Sequence, residues 1–210
     1  AGLLEYGRFV DQARGLSAAD WTQPTCCPDW DVRLMICHVI AMAELAASPV
    51  EQMRQMRAAK RAGGLFINAL TAVQVDKHAD RTTADLVGRM SRVAPRAVRG
   101  RRRTPSVIRR RGLAEQPVTA DGSVTETWAI GYLTDVILTR DVWMHRTDIA
   151  AATGHPLVLT AEHDGALVSH VVVEWAERHG QPFSLVLTGP AGGTWSRGAG
   201  SAYQLDAVEF

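Results

Sequence analysis

Apolar residues recur three and four positions apart through most of the first 155 residues, and a strand-like pattern emerges only near the end of the chain. Leu3, Tyr6, Val10 and Ala13 mark one face of a first helix over 3–14, closed by Gly15 and Ser17. Residues 21–30 contain Pro24 and Pro28. Proline lacks an amide hydrogen and crowds the preceding turn, so this stretch cannot be helical throughout. Asp29 or Asp31 can accept backbone N–H bonds at the start of the next helix, over 32–46. That segment is apolar on nearly every side, which predicts a helix inside a bundle. Pro49 suits the first turn of a third helix, which fades at Gly63–Gly64, and a fourth covers 65–78. Thr82 and Asp85 form a capping box for a fifth helix that carries Leu86, Met90, Val93 and Ala94 and is expected to stop at Pro95. Residues 96–122 read as a long basic connection. The longest helix is expected to start at Asp121–Ser123 and to end near Ala152, with Gly154 as its cap and Pro156 barring continuation.

After Gly154–Pro156 the pattern changes. Thr160, Glu162 and Asp164 suit a helix start, and Leu167, Val168, Val171, Val172 and Trp175 form its apolar stripe up to Gly180. Residues 183–188, 194–197 and 203–210 read as strands, with a glycine-rich turn over 189–193. The last strand runs to the end of the chain, as if the small domain continued beyond it. The expected architecture is mainly α: an up-down helical bundle over 1–155, followed by a small α+β domain over 156–210.

Composition narrows the class. With 46% hydrophobic and 21% charged residues the chain matches a soluble globular protein rather than a disordered one. No run of apolar residues is long enough to span a membrane, and the first residues carry no export signal. Three cysteines, two of them adjacent at Cys26 and Cys27, fit a reducing cytoplasm better than a disulfide framework. The net charge of +1 conceals nine arginines between Arg92 and Arg111, a stretch without any acid. Such a stretch can bind phosphates, but it lacks interleaved aromatics and shows no helix-turn-helix, so nucleic acid is not the expected partner. A solvated connection, or one or two arginines reaching an anionic cosubstrate or an acidic partner subunit, are the other readings.

The informative positions are polar residues where the stripe demands apolar ones. On the long helix one stripe runs Ile130, Thr134, Ile137, Asp141, His145, Asp148. Asp141 and His145 are four apart and share a face. On the second helix His38 is the only polar member of Leu34, His38, Met42, Leu45. Buried carboxylates and imidazoles are costly without partners, and a divalent metal satisfies two imidazoles and a carboxylate together. Three protein ligands leave a coordination position open, the mark of a catalytic site. The alternatives are a helix-surface hydrogen bond between Asp141 and His145 and a carbonyl-bonded core histidine at position 38. Asp148 could orient a ligand or pair with Arg140 or Arg146. Cys26 and Cys27 have no histidine placed to activate them, and Cys37 points about 100° away from His38. His78, His155, His163, His170 and His179 are expected at the surface.

Thr25, Cys27, Trp30, Val32 and His38 follow the spacing T-x-C-x-G-W-x-V-x-x-x-x-x-H, with Asp29 in place of the glycine. With the segment Tyr132 to Gly154, this resembles the DinB-like bundles of the mycothiol-dependent maleylpyruvate isomerase type over most of residues 1–155. Residues 183–195 are similar to the small C-terminal domain of some members. The resemblance implies an actinobacterial, DinB-like fold and a metal held by His38, Asp141 and His145, where the isomerase itself has glutamate at the position of Asp141. It implies mycothiol as thiol cosubstrate, while the His/carboxylate donor set itself suits Zn²⁺ and also accepts Ni²⁺. The expected function is a metal-dependent transferase or isomerase that acts on a small electrophile through a metal-bound thiolate. The competing expectations are a non-catalytic metal-binding protein and an arginine-rich module for nucleic acid or a protein partner. A homodimer is compatible with either.

Overall fold

The computed structural model describes residues 1–114, 116–117, 119 and 123–210. The chain folds as two compact units, Ala1–His155 and Pro156–Phe210. The first is a helical bundle. Helices α1 (Gly2–Gly15), α2 (Val32–Ala47) and α5 (Thr83–Arg102), with the last helix of the unit, α8 (Leu138–Thr153), surround one core. α2 packs on both α5 and α8, and α1 packs on the same two. Tyr6, Phe9, Met35, Ile36, Ile40, Leu86, Met90 and Ile149 fill the middle. α2 is buried almost all round, from Met35 to Glu44, as its uniform apolarity requires.

The helix starts follow local chemistry. Asp31 accepts the Leu34 N–H at 2.8 Å, Ser48 accepts that of Glu51 with Pro49 in the first turn, and Thr82 accepts that of Asp85 at 3.1 Å. Helices α3 (Pro49–Ala62) and α4 (Phe66–Asp76) form a pair laid against α2. Gly100 on α5 sits where the helix crosses α2, and a Cβ there would fall on the carbonyl of Ala46.

Two expectations about the bundle are corrected. α5 does not stop at Pro95 but continues to Arg102. Val93 and Ala94 are buried before the proline and Ala97 and Arg101 after it, so packing on both sides carries the helix through the missing hydrogen bond. The last long helix begins later than expected. A short helix α6 (Ser106–Arg109) follows α5, and β1 (Gln116–Pro117) pairs antiparallel with β2 (Thr125–Glu126). Leu113 N–H bonds the carbonyl of Trp128 at 2.8 Å, and Ala129 itself has extended backbone. Asp121 and Gly122, part of the expected start, lie outside the described residues. Helical structure starts at α7 (Ile130–Tyr132), widens into a π turn over Leu133–Ile137 and continues as α8 to Thr153, capped by left-handed Gly154.

In the second unit α9 (Asp164–His179) ends at left-handed Gly180. Strands β3 (Phe183–Thr188), β4 (Gly193–Arg197) and β5 (Ser201–Asp206) form a sheet of order β4-β3-β5. β3 and β4 form an antiparallel hairpin, and β5 returns parallel to β3 on its other edge. That return crosses the start of β3 at Gly200, where a Cβ would strike the Pro182 carbonyl. β5 ends at Asp206, so the expected strand over 203–210 is shorter and begins earlier. Trp175 packs against Phe183, Tyr203 and Phe210 and stacks on His179 at 4.7 Å. Among the described residues no helix is long and apolar enough to cross a membrane.

Candidate metal centre

α2 carries His38, and α8 carries Asp141 and His145 one turn apart on the face toward it. His38 Nε2 lies 3.5 Å from Asp141 Oδ2, and His145 Nε2 lies 3.7 Å from Asp141 Oδ1. The two imidazoles meet edge to face with centroids 5.1 Å apart. The three residues each offer a ligand atom within 4.8 Å of the others. These separations are too long for good hydrogen bonds. They are close to the roughly 3.3 Å between donor atoms that bonds of about 2.0–2.2 Å impose in a tetrahedral zinc site.

Asp141 Oδ2 is buried and has no hydrogen-bond partner among the described residues, and His38 Nδ1 is in the same position. A buried unpartnered carboxylate oxygen costs about 1–3 kcal/mol or more. The two-imidazole, one-carboxylate donor set and this orphaned oxygen both fit a divalent ion. The electrostatics agree. Burial alone would raise the Asp141 pKa, but the charge of His145, the interaction with His38 and the charge of Arg101 outweigh it and hold the group at about 2. Burial would lower His145, yet Asp141 and then Asp148 raise it. The pocket favours positive charge beside Asp141.

The surroundings fix these side chains. His145 Nδ1 lies 3.2 Å from Asp148 Oδ2, so Asp148 orients the ring and leaves Nε2 facing Asp141. Arg146 pairs instead with Glu5 at 2.8 Å, both fully buried, and Gln12 donates to the Arg146 carbonyl. α8 is thereby fastened to α1 beside the donor set. Arg101 donates to Thr139 Oγ1 at 3.3 Å, to the Leu138 carbonyl at 3.2 Å and to the Tyr6 hydroxyl. Burial, with a smaller push from Asp141 and against Arg101, moves the Tyr6 pKa to about 12, so it stays a neutral phenol.

The loop before α2 covers the site. Thr25 Oγ1 donates to the Trp30 carbonyl at 2.9 Å and accepts the Cys27 N–H, which folds 25–30 into a tight turn. The Trp30 ring then lies 5.3 Å from His38 and 6.1 Å from His145. Cys26 is exposed yet hydrogen-bonds Asp148. Desolvation by the loop, that bond and the Asp148 charge push its thiol up to about 12. Cys37 is fully buried, and burial raises its thiol to about 11. Neither is a ready nucleophile.

Of the residues that the sequence singles out, His38, Asp141, His145 and Asp148 lie side by side. Trp30, marked by the family motif alone, and Cys26 reach the same region from the loop, whereas Tyr6 and Arg101 carry no signal in their own segments and reach it from distant helices. His78 and His163 are buried, not at the surface. His78 bonds Glu44 at 3.1 Å, a partner 34 positions away that no local pattern reveals.

No curated protein matches the chain. Two solved structures share its fold: a crystal structure of the mycothiol-dependent maleylpyruvate isomerase, 15% identical with a TM-score of 0.55, and a histidine-to-alanine mutant of it, 14% identical with a TM-score of 0.56. Each alignment covers 98% of this chain and 82% of the other. Residues 4–150 match the sequence profile described as the mycothiol maleylpyruvate isomerase N-terminal domain. With its DinB-like bundle, the chain belongs to the mycothiol maleylpyruvate isomerase N-terminal domain family.

Proposed function

We propose that the chain binds one divalent ion through His38, Asp141 and His145 and, with mycothiol as thiol cosubstrate, acts as an isomerase or transferase on a small electrophile. The observation that carries this reading is the buried, unpartnered Asp141 Oδ2, within 3.5 Å of one imidazole nitrogen and on the carboxylate that faces a second. Zn²⁺ suits such a donor set, and Ni²⁺ is accepted by the same ligands. A bound ion supplies Lewis acidity that turns a coordinating thiol into a thiolate at neutral pH. The protein's own part is positional. Asp148 keeps the His145 Nε2 lone pair aimed inward, Trp30 shields both imidazoles, and Cys26 stays protonated, which leaves the incoming thiol as the nucleophile.

The test is to load purified protein with Zn²⁺ or Ni²⁺, add mycothiol and maleylpyruvate or a related small electrophile, and follow isomerisation and loss of free thiol. Metal-dependent turnover that His145→Ala abolishes supports the reading. Stoichiometric metal without turnover on any electrophile would leave a non-catalytic metal-binding protein.

A further inference from the structure

Of the basic stretch, Arg101 reaches the region of the metal centre, whereas other members gather elsewhere. Arg92 and Arg96 stand one turn apart on α5 and line a cavity of about 330 Å³ between α2, α3, α5 and the end of α4. The floor is a buried ionic network. The Glu44 side chain, 9% exposed, accepts from Lys77 at 2.7 Å and from Arg89, and it bonds His78 at 3.1 Å. Glu51 takes Lys77, Arg54 at 3.2 Å and Gln55 at 3.0 Å. The first turn of α3, at Ser48, also opens onto the cavity.

The charges in the lining do not cancel. Five cations, Arg54, Lys77, Arg89, Arg92 and Arg96, face two carboxylates, Glu44 and Glu51. Both carboxylates are already bonded to Lys77, Arg89 and Arg54. Arg92 and Arg96 have no ion pair or hydrogen bond among the described residues. Two guanidinium groups one helical turn apart at the edge of this floor offer unused N–H donors, and a guanidinium can take phosphate oxygens bidentately.

We propose that this cavity is a binding site for a small anion of the phosphate-ester class, separate from the metal centre and independent of the reading of that centre. A phosphate group carries about −1.5 to −2 charge and three strong acceptor oxygens, which match the charge excess and the unused donors. A single carboxylate would occupy only one fork. A long polyanion fits less well, because the site is a recess of limited volume with Glu51 at its side.

The experiment titrates the full chain, with and without Zn²⁺, with pyrophosphate and with glucose 6-phosphate, read by calorimetry and by phosphorus NMR. Saturable binding at one site per chain is expected. Arg92→Ala/Arg96→Ala should weaken it at least tenfold without changing the metal content. Both side chains are exposed, so the fold should survive. Arg110→Ala, an exposed arginine outside the cavity, should leave binding unchanged. Glu51→Gln should tighten binding severalfold by removing an opposing charge. No saturable binding of either probe, or equal affinity in the Arg92/Arg96 double variant, would overturn the proposal. So would a single-stranded oligonucleotide that binds more tightly than pyrophosphate and loses affinity equally in Arg110→Ala, since the arginines would then form a diffuse nucleic-acid surface.

Discussion

Asp148 holds His145 through Nδ1 at 3.2 Å, and this bond decides which nitrogen of the imidazole faces Asp141. Carboxylate–histidine pairs of this kind fix the ring's tautomer and raise its basicity. Asp148→Asn should therefore weaken metal binding by about 10–100-fold while leaving His38, Asp141 and His145 in place. Competition with a metal-sensitive chelator dye would measure it. An unchanged affinity would reduce Asp148 to a surface partner.

His145→Ala removes a ligand rather than its support. Metal affinity should drop by more than about a hundredfold, and the far-ultraviolet circular dichroism should stay that of the parent. Elemental analysis of the purified variant decides the matter, because retained stoichiometric metal would reject the donor set.

Protons compete with the metal for His145. Its pKa is raised in the free protein by Asp141 and Asp148 against the effect of burial. Apparent affinity should fall by at least about tenfold per pH unit below that raised pKa, because each protonated imidazole ligand must give up its proton to the metal. Titrations across the histidine range would show the bend shifted upward from an ordinary imidazole.

Glu44 carries a different pH dependence. Burial opposes its ionisation, but hydrogen bonds and charges from His78 and Lys77 bring its pKa down from 4.5 to about 2. A depressed folded-state value means stability that is present above the unfolded pKa and lost as pH falls toward the folded one. Glu44→Gln should cost about 3 kcal/mol near neutral pH, a difference that disappears between pH 4.5 and about 2. Urea unfolding at several pH values would reveal it.

At the α2–α5 crossing, Gly100→Ala should cost about 1–3 kcal/mol by forcing the helices apart. The new methyl meets the Ala46 carbonyl, a backbone atom that cannot rotate aside. Thermal unfolding of the variant tests this directly.

The parts of the structure that are legible in the sequence are those governed by neighbours along the chain. Asp31, Ser48–Pro49 and Thr82 announce helix starts through their own hydrogen bonds, and Gly154 and Gly180 announce ends through left-handed backbone. The spacing of Asp141, His145 and Asp148 puts them on one face. Pro95 misleads because its local penalty is outweighed by burial of Val93, Ala94, Ala97 and Arg101, which is visible only once α1 and α2 are in place. Arg101 looks like one more member of a solvated run, yet it is buried against Tyr6 and Thr139, and His78 looks exposed until Glu44 arrives from another helix. Trp30 is tied to the site only by the family motif, since nothing in its own loop fixes where an indole comes to rest.

The wide turn at Leu133–Ile137, where the Leu138 N–H reaches back five residues to the Leu133 carbonyl, adds one residue to the winding of the rod. An extra residue rotates everything upstream by about 100° relative to a uniform helix. Ile130 and Thr134 therefore do not continue the Asp141–His145–Asp148 face in a straight line, although the heptad-like spacing suggests that they do. The two halves of the rod are phased separately, so the faces above the wide turn are set apart from the donors that the downstream half aims at His38.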